Sequence, residues 1–85
     1  MAIDLLYFAW VREAMGRAGE RVTPPATVGT VADLLDWLVA RDPAGAAALS
    51  DRGRLRAAVD QAFVALDAPI AGAREIALFP PVTGG

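Results

Sequence analysis

The chain has 85 residues, of which 55% are hydrophobic and 21% charged, and its formal net charge is −2. This length allows one small domain, and the composition is far too apolar for a disordered protein. The negative net charge argues against general binding to nucleic acid, and no apolar stretch approaches the ~20 residues that span a bilayer. The first residues also lack the basic start of a signal peptide. We therefore expect a cytoplasmic protein with neither nucleic-acid nor membrane partners.

Few side chains are available for catalysis. The sequence contains no histidine, cysteine or lysine, and all eight basic residues are arginines. The commonest general base, the thiol nucleophile, the Schiff-base amine and the soft metal ligands are therefore missing together. Ten carboxylates remain, and two carboxylates can hydrolyse glycosides, but so short a chain leaves little surface for a substrate cleft. We expect a binding or carrier protein that holds no metal and no cofactor of its own.

The first predicted element is a strand. Residues 3–11 are almost continuously apolar and rich in aromatic side chains, which is typical of a strand buried on both faces. Residues 12–19 are polar and contain glycines, so they predict a loop or a short turn of helix. Residues 20–23 form a weak second strand that ends at Pro24, because proline cannot donate a hydrogen bond to a neighbouring strand.

A helix is predicted to begin after Thr30. Thr30 is a candidate N-cap, and Asp33, three residues later, resembles a capping box with a shorter carboxylate. The apolar residues that follow recur at helical spacing and form one stripe: Val31, Leu34, Leu35, Leu38 and Val39. The helix should end at Asp42, because a residue before proline is disfavoured in the helical conformation. The alanine-rich residues 44–49 extend the prediction by a further helical turn.

Three strands are predicted in the second half, at residues 55–59, 63–66 and 75–79. A tight turn at Asp60 and Gln61 joins the first two, although it lacks the glycine that a two-residue hairpin prefers. The resulting order, β-β-α-β-β-β, favours an α+β fold of the ubiquitin-like β-grasp type, in which one main helix packs across a mixed sheet. There the first and last strands lie parallel at the sheet centre, consistent with a doubly buried first strand.

We assign residues 1–79 to this domain and residues 80–85 to a flexible C-terminal tail: Pro80, Pro81, Val82, Thr83, Gly84 and Gly85. The prolines favour an extended exit, and six residues at ~3.3 Å each reach roughly 20 Å, far enough to enter a partner's active site. Glycines pass through a narrow channel because they have no side chains. The reactive group at the tip is the carboxylate of Gly85. A partner using ATP would convert it to an acyl-adenylate, open to a sulfur or amine nucleophile. The alternative is an ordinary frayed end.

These residues resemble the small, sulfur-carrying subunit of molybdopterin synthase, the MoaD family of ubiquitin-like proteins, along nearly the whole chain. The resemblance rests on residues 6–13, the helix opening at Thr30, residues 56–61 and residues 76–85. The last segment is the most specific, since the family ends on a strand followed by Phe-Pro-Pro-Val, Ser or Thr, and Gly-Gly. The chain departs from the family at Asp60, where Asn is frequent, and at residues 71–75, where an acidic turn is common.

The resemblance implies that an E1-like enzyme (MoeB in bacteria) adenylates the carboxylate of Gly85 with ATP and Mg²⁺, and that a thiocarboxylate follows. With its tail inside the large subunit (MoaE), the carrier would donate sulfur to cyclic pyranopterin monophosphate and so form the dithiolene of molybdopterin. Two copies of each subunit would form a heterotetramer. The chain would then be the non-catalytic, sulfur-donating subunit of a two-subunit sulfurtransferase, with the catalytic side chains on the large subunit.

Four residues are candidates for partner contacts. Phe8, Phe63 and Phe79 map to positions where the family presents an apolar patch to its partners; the alternative for each is a place in the core, since aromatic residues dominate small cores. Arg12 either contacts an acidic partner or is simply solvated. Three further arginines alternate, and an extended segment would place them on one face, towards solvent or an acidic partner: Arg52, Arg54 and Arg56.

Other functions remain open from the residues. The chain is alternatively a sulfur carrier for thiamine, cysteine or tRNA thiolation, or a ubiquitin-like modifier joined through Gly85 to lysines of target proteins. A stand-alone carboxylate enzyme is a third class, in which activity would survive removal of the tail. Nothing in the spacing of Asp4, Asp60 and Asp67 supports an acid–base set.

Overall fold

The computed structural model describes residues 2–81 of the protein. These residues form five strands and three α-helices, with a 3-10 turn at Arg52–Arg54. The bounds in chain order are β1 (Ile3–Tyr7), α1 (Ala9–Met15), β2 (Gly19–Val22), α2 (Val31–Arg41), α3 (Pro43–Leu49), β3 (Arg56–Val59), β4 (Ala62–Val64) and β5 (Glu75–Phe79). The predicted tail residues Val82, Thr83, Gly84 and Gly85 lie outside the described residues.

The strands form one mixed sheet in the order β2-β1-β5-β3-β4. β1 runs parallel to β5, with Leu5 opposite Ile76, and the other neighbouring pairs are antiparallel. The predicted α+β β-grasp arrangement is confirmed, including the parallel pairing of the first and last strands. β5 occupies the centre of the sheet.

The first strand is shorter than predicted, and its burial on both faces is wrong. β1 ends at Tyr7, and the residues after Phe8 form α1 instead of continuing the strand. Within β1 the exposed Asp4 lies between two buried residues, so only one face is covered. The next buried positions, Val11 and Met15, are four apart, which is a helical spacing. Within this continuous apolar run the spacing of buried residues thus changes, from every second residue in the strand to about every fourth residue in the helix.

The most completely buried strand is β5. Its three central residues, Ile76, Ala77 and Leu78, are all buried. β5 has a strand on each side, β1 and β3, and parallel pairing places it deep in the sheet. The bounds predicted for this strand, residues 75–79, are confirmed.

Helix α2 begins as predicted. Thr30 Oγ1 accepts a hydrogen bond from the Asp33 amide at 3.1 Å, and Asp33 Oδ2 accepts one from the Thr30 amide at 3.2 Å. This reciprocal capping box satisfies amides that the first helical turn leaves unpaired. Four residues of the predicted apolar stripe are buried and the fifth is partly buried: Val31, Leu34, Leu35, Leu38 and Val39.

α2 ends before the Asp42-Pro43 pair, as predicted, and the alanine-rich segment forms the separate helix α3. Asp42 caps α3 by accepting a hydrogen bond from the Gly45 amide at 2.8 Å. A Cβ atom at Gly45 would lie 2.1 Å from the Leu38 carbonyl oxygen. Glycine therefore allows the two helices to approach closely at this point.

The helices and the covered face of the sheet enclose one core. Its largest fully buried side chains include Tyr7, Leu5, Ile76 and Leu78 from the sheet, with Leu34, Leu35 and Leu38 from α2. Trp10 and Trp37 are partly buried and pack against its edge. No helix within residues 2–81 is both long enough and apolar enough to cross a membrane.

The segment before β3 differs from the prediction. Arg52 and Arg54 lie in a 3-10 turn and not in an extended strand, so the expected single face of Arg52, Arg54 and Arg56 does not form. Arg52 makes an ion pair with Asp36 of α2. Only Arg56 belongs to the strand.

The hairpin between β3 and β4 turns at Asp60 and Gln61, as predicted. Both residues have positive φ angles, 48° and 72°, which is the requirement of a type I′ turn. Asp60 Oδ1 also accepts hydrogen bonds from the Arg74 and Glu75 amides, each at 2.9 Å. The side chain of Asp60 therefore ties this turn to the start of β5.

Candidate functional site

One face of the sheet packs on the helices, and the other, which we call the open face, carries exposed apolar side chains. Strand register aligns one row across it: Leu6 of β1 lies opposite Ala77 of β5, Ala77 opposite Ala58 of β3, and Ala58 opposite Phe63 of β4. The side chain of Phe63 is 82% exposed. An apolar row with such an exposed aromatic residue is typical of a surface that binds another protein.

The aromatic residues predicted as partner contacts gather on this face. Phe8 is 49% exposed and Phe79 is half-buried, and the ring centroids of Phe63 and Phe79 lie 5.6 Å apart. All three line a groove of about 430 Å³ together with Leu6 and the two alanines of the row. Phe8 and Phe63 are therefore surface residues, and the alternative prediction that they belong to the core is wrong for both.

The chain leaves the sheet beside these aromatic side chains. β5 ends at Phe79, and Pro80 and Pro81 follow outside the strand. Because β1 and β5 are parallel, their ends lie at the same edge, where the Phe8 amide donates a hydrogen bond to the Leu78 carbonyl at 3.2 Å. The groove and the start of the predicted tail are therefore adjacent.

Arginines border the same edge. Arg12 is exposed on α1, and its amide donates a hydrogen bond to the carbonyl of Phe8, the N-cap of this helix, at 3.4 Å. Arg56 stands opposite Phe79 in register and lines a second groove, of about 320 Å³, with Phe63 and Phe79. The guanidinium carbon of Arg54 lies 4.7 Å from the ring centroid of Trp10, in cation–π geometry.

Several carboxylates of the described residues serve structural roles. Glu20 accepts hydrogen bonds from Tyr7 Oη at 2.7 Å and from Arg41 Nη2 at 2.8 Å. Burial acts to raise the pKa of Glu20, but the bonds from Arg41 and Tyr7 outweigh it, and the pKa is lowered. Burial and the bond to Glu20 raise the pKa of the Tyr7 hydroxyl. This network joins β1, β2 and the end of α2.

The three aspartates considered as an acid–base set have separate environments. Asp4 pairs with Arg21 at 2.7 Å, and this hydrogen bond lowers the pKa of Asp4. Asp60 is engaged by backbone amides of the β5 start, and Asp67 lies in an exposed turn after β4. Within residues 2–81 no group of three or more Asp, Glu, His or Cys residues is arranged to hold a metal ion.

Sequence reasoning missed the small residues of the open face. Ala58 and Ala77 are 7% and 8% exposed and lie between the aromatic side chains of the groove. These alanines can be placed on the open face only when the pairing of β3 with β5 is known. Alanine itself is not a strong indicator of a strand. The stacking of Arg54 on Trp10 was also missed, because the two residues are distant in sequence and meet only in the fold.

The sequence matches the ThiS family model over residues 5–85. It is 43% identical to the molybdopterin synthase sulfur carrier subunit of Escherichia coli K12 over 83 residues, which cover 98% of this chain and 99% of that protein. Among solved structures, SAMP1 from Haloferax volcanii has a TM-score of 0.70 and 33% identity, with all of both chains covered. The H. volcanii small archaeal modifier protein 1 has a TM-score of 0.68 and 31% identity, covering 95% of this chain and 98% of that one.

The sheet order, the capped helix α2 and the open face define a ubiquitin-like β-grasp protein. The chain belongs to the ThiS family and, within it, to the group of molybdopterin synthase sulfur carrier subunits. The resemblance drawn from the sequence is thereby confirmed.

Proposed function

We propose that the chain is the sulfur carrier subunit of a molybdopterin synthase. The observation that carries this function is the position of the chain exit: Phe79 ends β5 beside the exposed groove of Phe8 and Phe63. A partner that covers the groove therefore receives the residues that follow Phe79 at the same edge of the sheet. The E. coli relative, similar over nearly the whole length, bears this function in its name.

The reacting group is the terminal carboxylate of Gly85, which lies outside the described residues. The carboxylate oxygen attacks the α-phosphorus of ATP, and pyrophosphate leaves. The acyl-adenylate is a strong electrophile, and a sulfur nucleophile displaces AMP from its carbonyl carbon. The sulfur of the thiocarboxylate then forms a bond to a carbon of cyclic pyranopterin monophosphate, and water hydrolyses the resulting thioester, which leaves the sulfur on the substrate and returns the carrier to the carboxylate. Two such transfers supply the two sulfurs of the dithiolene.

The composition of the chain supports a division of labour between subunits. With no histidine, cysteine or lysine, the chain supplies no ordinary general base and no side-chain thiol or amine nucleophile. The carboxylates of residues 2–81 that have hydrogen-bond partners hold turns, caps and strands together. Acid–base groups and the Mg²⁺–ATP site belong to the partners, and this chain contributes a docking surface and a reactive terminus.

Two partners use the open face in turn. An E1-like adenylating enzyme (MoeB-type) binds the carrier first, and a large subunit (MoaE-type) binds the thiocarboxylated form in a heterotetramer. Phe63 and Phe8 are the anchors, since exposed aromatic residues beside small residues can fill a partner's pocket at little entropic cost. Because one surface serves both, the two complexes exclude each other.

The test is intact-mass spectrometry of the chain after incubation with its E1-like enzyme, ATP, Mg²⁺ and a sulfur source. We expect a gain equal to the mass difference between sulfur and oxygen, localised to the peptide that ends in Gly85. The thiocarboxylated chain, mixed with the large subunit, should then convert cyclic pyranopterin monophosphate to the dithiolene product.

The control is a chain that lacks Gly85, which should remain unchanged in mass while its circular dichroism and melting match the full chain. A carrier with known activity shows that the enzyme preparation is competent. If that carrier reacts and the full chain does not, the proposed function is refuted.

The similarity to the archaeal modifier protein favours a second candidate, a ubiquitin-like modifier. In this function an amine of a target lysine displaces AMP, forming an amide bond to Gly85. Immunoblots of cell extract would then show conjugates heavier than the free 8.9 kDa chain. Thiocarboxylate without conjugates assigns the chain to sulfur transfer alone.

A further inference from the structure

The arginines of this acidic chain are distributed unevenly. Within residues 2–81 half of them make ion pairs with carboxylates: Arg17, Arg21, Arg41 and Arg52. The others make no ion pair with a carboxylate of that range: Arg12, Arg54, Arg56 and Arg74. Three of these four lie at the edge where the chain leaves β5. The fourth, Arg74, immediately precedes β5 and so lies at the opposite edge.

The strand directions place the three arginines around the exit. β3 is antiparallel to β5, so it begins where β5 ends, and Arg56 lies opposite Phe79. Arg54 precedes β3 at the same edge and stacks on Trp10 of α1. Arg12, also on α1, lies one helical turn beyond Phe8, and its amide donates a hydrogen bond to the Phe8 carbonyl at 3.4 Å.

Two of the three side chains are held in place. The Trp10 ring holds the guanidinium of Arg54, and Arg56 Nη1 donates a hydrogen bond to the Leu55 carbonyl at 2.8 Å. Neither contact neutralises the charge. An arginine restrained in this way loses less rotamer freedom on binding than a freely rotating one.

We propose that Arg12, Arg54 and Arg56 form a basic collar that binds a carboxylate-rich rim on the large subunit that receives the tail. The collar rests on the proposed function, because it assumes that the tail enters a partner. The collar orients the carrier relative to its partner during association, which the uncharged groove cannot do. The whole chain has a formal charge of −2, whereas this edge carries three arginines without ion pairs within residues 2–81 and the opposite edge carries Arg74. The uneven distribution of charge favours encounters with an acidic rim in which this edge, and with it the tail, comes first.

The arrangement fits protein carboxylates better than one small anion. A small anion requires guanidinium groups that converge on a common pocket. Of the two grooves described above, one is lined by Arg56 and neither by Arg12 or Arg54. The charges instead flank Phe8 and Phe79, as a polar rim surrounds the apolar centre of a protein interface.

The experiment measures association of the full chain with its large subunit by stopped-flow fluorescence at several salt concentrations. The triple variant Arg12→Gln, Arg54→Gln, Arg56→Gln should associate about tenfold more slowly at low ionic strength and show a flatter salt dependence. Arg74→Gln, which removes an equivalent charge at the far edge, should change the rate by less than about twofold. Replacing the three collar arginines by lysine should keep most of the wild-type rate.

Arg12→Gln alone keeps the test independent of folding, because Arg12 is exposed and makes no side-chain hydrogen bond or ion pair within residues 2–81. We expect it to slow association roughly threefold at low salt. If Arg12→Gln and the folded triple variant associate no more slowly than Arg74→Gln, the collar is refuted and the proposed function stands. If the wild-type chain does not bind the large subunit at any salt concentration, both are refuted.

Discussion

Replacing Glu20 by glutamine should destabilise the fold at neutral pH and have a much smaller effect in acid. The Glu20 carboxylate accepts hydrogen bonds from Tyr7 at 2.7 Å, Arg41 at 2.8 Å and Arg17 at 3.1 Å. Its side chain is 16% exposed, and that of Arg41 is 25% exposed. Glutamine has nearly the same shape and keeps one accepting oxygen, so the substitution removes the charge with little change in packing.

The magnitude follows from these three contacts. A hydrogen bond to a charged group contributes about 1 kcal/mol more than a neutral one, so the shielded Tyr7 and Arg41 bonds together account for about 2 kcal/mol. The Arg17 side chain is 40% exposed, and such a pair adds at most about 0.5 kcal/mol. In a domain of this size 1 kcal/mol corresponds to about 4–8 °C, so the melting temperature should fall by about 10 °C.

The pH dependence has a definite sign. Arg41 and Tyr7 hold the pKa of Glu20 below its ordinary value of 4.5, despite the opposing effect of burial. A carboxyl group with a lowered pKa in the folded state contributes its full stabilisation above the pKa of the unfolded chain, and loses it as pH falls through the folded value. The gap between wild type and Glu20→Gln should therefore be constant near neutrality and shrink below pH 4.5.

The assay is urea denaturation of both proteins at pH 7 and at several pH values below the ordinary carboxyl pKa. Glu13→Gln is the matched control, because Glu13 is exposed and forms no ion pair within the described part of the chain. Its unfolding free energy should follow that of the wild type at every pH. The role assigned to this network would be refuted if Glu20→Gln has the same unfolding free energy as the wild type at pH 7. It would also be refuted if the difference in unfolding free energy does not shrink in acid.

Three further changes test the site and the fold. Phe63→Ser should lower the unfolding free energy by at most about 1 kcal/mol, because Phe63 is 82% exposed and loses only its ring contact with Phe79. The same change should weaken large-subunit binding in calorimetry by about 30- to 100-fold; unchanged affinity would exclude Phe63 from the interface. Thr30→Ala should cost about 1 kcal/mol in urea denaturation through loss of the capping box, whereas the exposed Thr27→Ala should be neutral. Gln61→Gly should raise the melting temperature by a few degrees, about 0.5 kcal/mol, since Gln61 has a φ of 72°; a lower melting temperature would contradict the strain assigned to it.

The sequence predicted the site in part. The aromatic residues Phe8, Phe63 and Phe79 were identified as candidates, but composition alone did not separate a core position from a surface one. Register decides this for Phe63, which lies opposite Ala58 and faces away from the helices. Register depends on which strands pair, and a shift of one residue would exchange the two faces.

The sequence by itself determined the features that depend on neighbouring residues. The capping box of Thr30 and Asp33 and the end of α2 before Pro43 are formed by residues within a few positions of one another. The missing histidine, cysteine and lysine similarly restrict the chemistry without reference to the fold. These interactions are local, so the pattern alone specifies them.

Only the tertiary structure decided where the first strand ends and what surrounds the chain exit. The apolar run after Tyr7 suits a strand or a helix equally, and the contacts of α1 with α3 and β5 select the helix. Likewise Phe8, Arg56 and Phe79 meet at one edge because β1 is parallel and β3 antiparallel to β5. Those pairings join distant parts of the chain, and their stability comes from a shared core that no short segment contains.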